Sequence, residues 1–117
     1  MDPLRRQLTD PKAERVLTFV NKLRELEDEF PAQLAATLFY VASHKDCHKQ
    51  AMEEDLEFSN ASGSRNTDRL SAHHRLNKPG LDLITKEQDP GNRRRLQLAM
   101  TPQGQALVDS LLSILYD

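Results

Sequence analysis

At 117 residues, with 38% apolar and 29% charged side chains, the chain is sized for one domain with a modest core. Its formal net charge of −2, taken whole, argues against a nucleic-acid binder, whose footprint is normally basic. No apolar run approaches the roughly 18–20 residues that span a bilayer, Met1 to Asp10 holds no signal-peptide-like stretch, and the single Cys47 cannot close an internal disulfide, so a cytoplasmic protein is expected.

Asp10-Pro11 is a helix-start pair, and Val16, Phe19, Val20, Leu23, Leu26 and Phe30 then recur at three- and four-residue spacing, predicting an amphipathic helix over roughly 11–29. Pro31 ends it, and Leu34, Ala35, Leu38, Phe39, Val41 and Ala42 form a second stripe running to about Ser43. The polar run His44 to His48 makes a turn. A short helix over 48–56 follows, with Ala51, Met52 and Leu56 inward and Glu53, Glu54 and Asp55 in water. Ser59 or Asn60 can cap the next helix, about 60–73, because a short side-chain oxygen there accepts the unpaired amides of the first turn.

That helix differs from the others. Between its cap and Leu70 it carries only small and polar side chains, so burial cannot hold most of its circumference and one face must meet something wet and polar, as DNA is. Gly63 costs about 1 kcal/mol relative to Ala inside a helix and implies a close backbone approach, to DNA or to the preceding helix. From Lys78-Pro79-Gly80 onward the period changes. Leu81–Thr85 and Leu96–Met100 read as two strands joined by the turn-rich Glu87–Asn92, with Arg93, Arg94 and Arg95 at the returning base of the hairpin. Thr101-Pro102 starts a last helix with the stripe Leu107, Leu111, Ile114 and Leu115.

Charge follows this layout. Residues 1–58 hold eight cations against twelve acids, a net of −4, whereas residues 59–100 hold eight against four, a net of +4, with Asp109 and Asp117 beyond. The expected fold class is therefore mainly α with a small β-hairpin wing, a winged helix-turn-helix in α-α-α-α-β-β-α order over a single domain, 1–117.

The run Leu56 to Leu70, with its Ser59 cap, small residues and Ser64-Arg65 pair, resembles the turn and recognition helix of MarR-family transcription regulators. The wing is closer still: Gly80-Leu81-Asp82-Leu83-Ile84, then Asp89-Pro90-Gly91-Asn92-Arg93-Arg94, then Leu96 to Gly104 with its Thr-Pro-Gln-Gly close. The resemblance covers about residues 30–107. The chain departs from the family pattern in the longer segment Ser71 to Pro79 and in Asn92, where many members carry Asp before the wing arginines.

The resemblance implies a sequence-specific transcription regulator, a repressor, bound as a homodimer to a pseudo-palindromic double-stranded DNA site. Residues 11–30 and 102–116 are then the dimerisation helices, 48–73 the helix-turn-helix and 81–100 the wing. Helix 60–73 would enter a major groove, where Ser62, Ser64, Arg65, Asn66 and Arg69 reach bases or phosphates, arginine matching guanine and asparagine matching adenine. The 86–95 wing would enter a minor groove, with Arg94 outward and Arg93 or Arg95 paired with Asp89. Lys86, Arg75 and Lys78 are candidate phosphate contacts. His73 and His74 would face phosphate or cap the helix.

Other readings stay open. Arg65 and Arg69 can be solvated charges, Arg65 pairing with Asp68, and the wing arginines can be a solvated basic turn. The acidic helices would also suit a winged module used for protein–protein contact. His44, Cys47 and His48 do not have standard zinc spacing, and Asp46 opposes a Cys47 thiolate, so neither metal nor cofactor is expected. No carboxylate lies in a pattern with a His or Ser partner that suggests catalysis. A small-molecule effector is compatible with the resemblance, but no ligand can be named from the few aromatics.

Overall fold

A computed structural model describes residues 6–7, 9–72 and 78–117, so the expectations for Arg75, His73 and His74 lie outside the described residues. Five helices and three strands follow one another as α1 (Pro11–Arg24), α2 (Ala32–Ser43), β1 (Cys47–His48), α3 (Lys49–Leu56), α4 (Asn60–Leu70), β2 (Ile84–Asp89), β3 (Asn92–Met100) and α5 (Pro102–Tyr116).

Three caps set helix starts where short polar side chains predict them. Asp10 accepts the amides of Lys12 and Ala13 at 3.0 and 3.1 Å, Ser59 accepts Ser62 N–H at 3.1 Å, and Thr101 accepts Gly104 N–H at 2.9 Å. The helix α1 stops at Arg24, short of the expected residue 29. Beyond it Glu25, Glu27, Asp28 and Glu29 would sit at the negative end of the helix dipole. Arg24 instead turns to Asp28, Nη2 to Oδ1 at 2.8 Å. Likewise α4 ends at Leu70 rather than 73.

The sheet has three strands, not the two expected. Its order is β1-β3-β2, all antiparallel, with Cys47 opposite Leu98 and His48 opposite Gln97. The hairpin is also longer and displaced. Residues 81–83 are not strand, because their amides go to the end of α4: Leu81 N–H to the Arg69 carbonyl at 3.0 Å and Leu83 N–H to that of Leu70 at 2.8 Å. Asp82, in the left-handed region at φ 55°, breaks the extended run. Glu87 and Gln88, expected in the turn, pair with Gln97 and Leu96, leaving the turn to Asp89–Asn92.

The core joins α2, α3, α4, the sheet and the start of α5 through Leu34, Leu38, Met52, Leu70, Leu98 and Val108, among others. Ala51, expected inward, is exposed, and Met52 alone on that helix is fully buried. The Tyr40 hydroxyl donates to Asp55 at 2.6 Å, and that bond, helped by burial, pushes the phenol up to about 12. Asp55 is thus a tie between α2 and α3 rather than a purely solvated charge.

The other end is built differently. The helix α1 lies along α5, with Arg15 donating to the Leu115 carbonyl at 3.3 Å and Phe19 stacked on Phe39 of α2 at 5.5 Å. Of its apolar stripe only Leu23 is buried, while Val16, Leu17 and Val20 are 53%, 56% and 43% exposed. Leu112 and Tyr116 of α5 are exposed as well. The molecule measures 63 × 30 × 27 Å with a radius of gyration of 16.6 Å, against about 13 Å for a compact domain of similar length. No described helix is long and apolar enough to cross a membrane.

Candidate nucleic-acid interface

Gly63, Thr67 and Leu70, at spacings of four and three, are the buried side of α4. Thr67 Oγ1 donates to the Gly63 carbonyl at 2.8 Å, which satisfies its hydroxyl inside the core. The opposite side presents Asn60, Ala61 and Arg65 to solvent, with Ser62 and Ser64 half-buried beside them. Arg65 Nη2 donates to Ser62 Oγ at 3.0 Å, so this guanidinium lies back along its own helix and not against Asp68.

Three other expected readers are engaged within the protein. Asn66 donates to Gln33 Oε1 at 3.3 Å and to the Ser62 carbonyl at 2.9 Å, which turns it toward the start of α2. Arg69 faces Glu27, Nε to Oε2 at 3.8 Å, and joins the last turn of α4 to the segment after α1. Lys86 Nζ donates to Asp68 Oδ1 at 2.7 Å, with both side chains largely covered, and so ties β2 to α4.

The wing arginines are in a different state. Arg93, Arg94 and Arg95 open β3 next to the turn and are all exposed, and among the described residues no carboxylate comes within 4.0 Å of them. The expected pairing of Asp89 with Arg93 or Arg95 is replaced by His48, whose Nε2 donates to Asp89 Oδ2 at 2.6 Å. The reason is the third strand: β1 brings His48 up beside the hairpin, 41 residues away in sequence. Asp89 Oδ1 accepts Gly91 N–H at 2.8 Å, and Asn92 Oδ1 accepts Arg94 N–H at 3.0 Å, so both polar side chains shape the turn. The Gly91 amide first, then His48, hold the Asp89 carboxyl below its usual range, with Arg95 adding a smaller pull.

Between the wing and the helix-turn-helix lies an open groove of about 370 Å³, with Gln50 and Asn60 on one wall and Arg94 and Arg95 on the other. The groove is also lined by Lys49 and Glu53, of which the residue pattern places Glu53 in water. Lys49 Nζ donates to Glu53 Oε2 at 2.6 Å and to Asn60 Oδ1 at 2.8 Å. The spacing of four residues between Lys49 and Glu53 was a legible signal for such a pair.

The histidine and cysteine cluster disperses. His44 stacks on Tyr40 with ring centroids 4.0 Å apart, His48 serves Asp89, and no described group of three His, Cys, Asp or Glu side chains is placed to hold a metal ion. Burial pushes the half-buried Cys47 thiol up, and the Asp46 charge adds to it, which keeps the thiol form.

No protein-family model matches the chain, and no curated protein matches it in sequence. Solved structures do. A crystal structure of MarR superimposes with a TM-score of 0.65 at 22% identity, covering 88% of this chain and 67% of that one. The MepR–DNA complex of S. aureus gives 0.69 at 19% identity, covering 87% and 77%. The transcriptional repressor CouR, bound to a 23-mer DNA duplex, gives 0.64 at 16% identity, covering 88% and 66%. The fold is a MarR-like winged helix.

Proposed function

We propose that this MarR-like chain is a sequence-specific DNA-binding transcription regulator, a cytoplasmic repressor acting as a homodimer on a pseudo-palindromic double-stranded site. The observation that carries this reading is the groove lined by Asn60 of α4 and by Arg94 and Arg95 of the wing, next to the small, polar outward face of α4, with Arg93 to Arg95 exposed and without carboxylate partners among the described residues. A duplex backbone is the polyanion that such a surface fits. MepR and CouR were solved on DNA with the same fold, which supports the reading.

In this reading α4 enters the major groove with Ser62, Ser64 and Arg65 toward base edges and phosphates, and Arg65 leaves its Ser62 contact for a guanine. The wing carries Arg93, Arg94 and Arg95 to the minor groove and its flanking phosphates. Asn66, Arg69 and Lys86, already engaged with Gln33, Glu27 and Asp68, hold the reading surface rather than read. A second copy covers Val16, Leu17, Val20, Leu112 and Tyr116 on α1 and α5, which single chains leave in water. Two copies then set two reading helices one helical turn, about 34 Å, apart on the duplex. The alternative of a protein-binding winged module gains nothing here, since the large exposed apolar side chains of the described residues lie on α1, just after it and on α5, not on α4 or the wing.

Selection of bound duplexes from a random library tests the reading. Enrichment of a two-fold symmetric sequence supports it, and a library that returns unenriched rejects it. Light scattering on the eluting protein tests the dimer separately, a monomer mass being the adverse result.

A further inference from the structure

The outer charges of the basic segment belong to the reading surface, and a covered ion pair lies at the groove beneath them. Lys49 is 7% exposed and Glu53 is nearly as well covered, although both are charged and stand one turn apart on the short helix α3. Burying two charges costs desolvation that their attraction only partly returns, and packed apolar side chains commonly do as well or better. Net stability is therefore a weak reason for this pair to be here. Its geometry gives a better one.

From a single site on α3 the pair meets α4 at two successive turns. The Lys49 ammonium bonds Asn60, the first residue of α4, at 2.8 Å. The Glu53 carboxylate, held by Lys49 at 2.6 Å, lies against the backbone of Gly63, where a Cβ would overlap both the Glu53 carboxylate and its Cγ. Gly63 is buried with an ordinary helical backbone, so what glycine avoids there is overlap with the Glu53 side chain as it stands and not a strained dihedral angle. Two contacts along one helix fix both its distance from α3 and its rotation about its own axis. Rotation decides which side chains face outward, and neighbouring residues of a helix are separated by about 100°.

We propose that Lys49, Glu53 and Gly63 are positioning residues that set the stance of α4 on α3, so that Ser62, Ser64 and Arg65 address the bases in one register. The proposal rests on the DNA-reading function above. It assigns Gly63, which carries no side chain to read with, a direct effect on sequence discrimination. Lys49 and Glu53 carry no net charge between them, so the pair adds little to the overall pull of the phosphates. Its signature is therefore in the ratio of affinities for the selected and for random duplexes, from which the sequence-independent backbone contribution largely cancels.

Four proteins test this: wild type, G63A, E53A and the G63A/E53A double variant, each compared for melting temperature and for the affinity ratio between the selected duplex and random DNA. Both single variants are expected to lower the ratio by roughly tenfold, the scale of one mismatched base pair. The double variant is expected to be no worse than either single, because both changes break one contact. In the E53A background the change at Gly63 is expected to leave the melting temperature unchanged or higher, since Ala suits a helix interior better than Gly. If G63A alone does not fold, recovery of the folded state in G63A/E53A supports the contact, and failure to recover overturns it. A folded G63A with the wild-type ratio, or losses that simply add, overturn the proposal while leaving DNA reading intact. A wild-type protein that selects no duplex overturns the function itself, and the positioning role with it.

Discussion

Lys86 and Arg94 are carried by the two paired strands of one hairpin, and both are basic residues of the same +4 segment. Lys86 is closed into a 2.7 Å pair with Asp68 and largely covered, whereas Arg94 stands exposed with no carboxylate in reach among the described residues. The difference follows position along the hairpin. The first half of β2 runs beside α4, where Asp68 lies in reach, while Arg94 near the start of β3 is exposed at the groove shared with Gln50 and Asn60. Charge count alone treats the two as equal. The structure separates cations paired with a carboxylate, Lys86, Arg69 and Lys49, from Arg65 and Arg93 to Arg95, which are exposed and have no carboxylate within 4.0 Å among the described residues.

Five changes break or sharpen that division. The largest acts on its common support. Leu70 is fully buried where α4 hands the chain on toward the wing, and Leu70→Ala is expected to destabilise the fold by about 2–5 kcal/mol, as large core truncations do. Urea unfolding reads this directly, and DNA binding and stability should fall together. A loss well under 1 kcal/mol would mean that this junction is not shared core.

Arg65→Ala separates the two classes from the reading side. Affinity for the selected duplex should fall by about 1–3 kcal/mol if Arg65 meets a base, with melting temperature unchanged because the residue is exposed. Unchanged binding in a gel-shift titration removes Arg65 from the readers. Lys86→Met gives the mirror image. Stability should fall by roughly 1 kcal/mol, discounted for partial exposure, as Asp68 loses its partner. The slope of log affinity against log salt should stay put. Arg94→Ala should lower that slope by about 0.9 for one phosphate contact, on random DNA as much as on the selected site. A slope that moves with Lys86 and not with Arg94 would reverse the assignment.

How much of this was legible in the chain depends on the range of each interaction. Caps at Asp10, Ser59 and Thr101, and the polar outward face of α4, are local features, and they stand where the residues predict them. The two-residue strand Cys47–His48 was not legible, because its partner β3 lies about fifty residues on and two residues carry no period. The strand start at Ile84 was misplaced for a related reason: the apolar alternation of Leu81 and Leu83 is real, but their amides are spent on the carbonyls of Arg69 and Leu70. The roles of Arg69 and Lys86 required knowing that Glu27 and Asp68 lie opposite them. For Lys49 and Glu53 the spacing was readable and the burial was not, since the pair is covered by Asn60 and Gly63 of α4.

The smallest effect concerns the wing turn. Asp89 accepts Gly91 N–H through one oxygen and His48 through the other, and both bonds favour its charged form, holding its pKa below the ordinary 3.8. A carboxyl lowered on folding adds stability that is fully present above its unfolded pKa and is lost as pH falls through the folded one. Asp89→Asn keeps an oxygen for the Gly91 amide but has no proton to gain in this range. The stability gap between wild type and Asp89→Asn should therefore be constant above about pH 5 and close as pH drops below the ordinary carboxylate value. Paired urea titrations from pH 6 to pH 3 read that closure. A gap that persists unchanged to the acid end would mean that the bonds from Gly91 and His48 shape the turn without favouring the Asp89 charge.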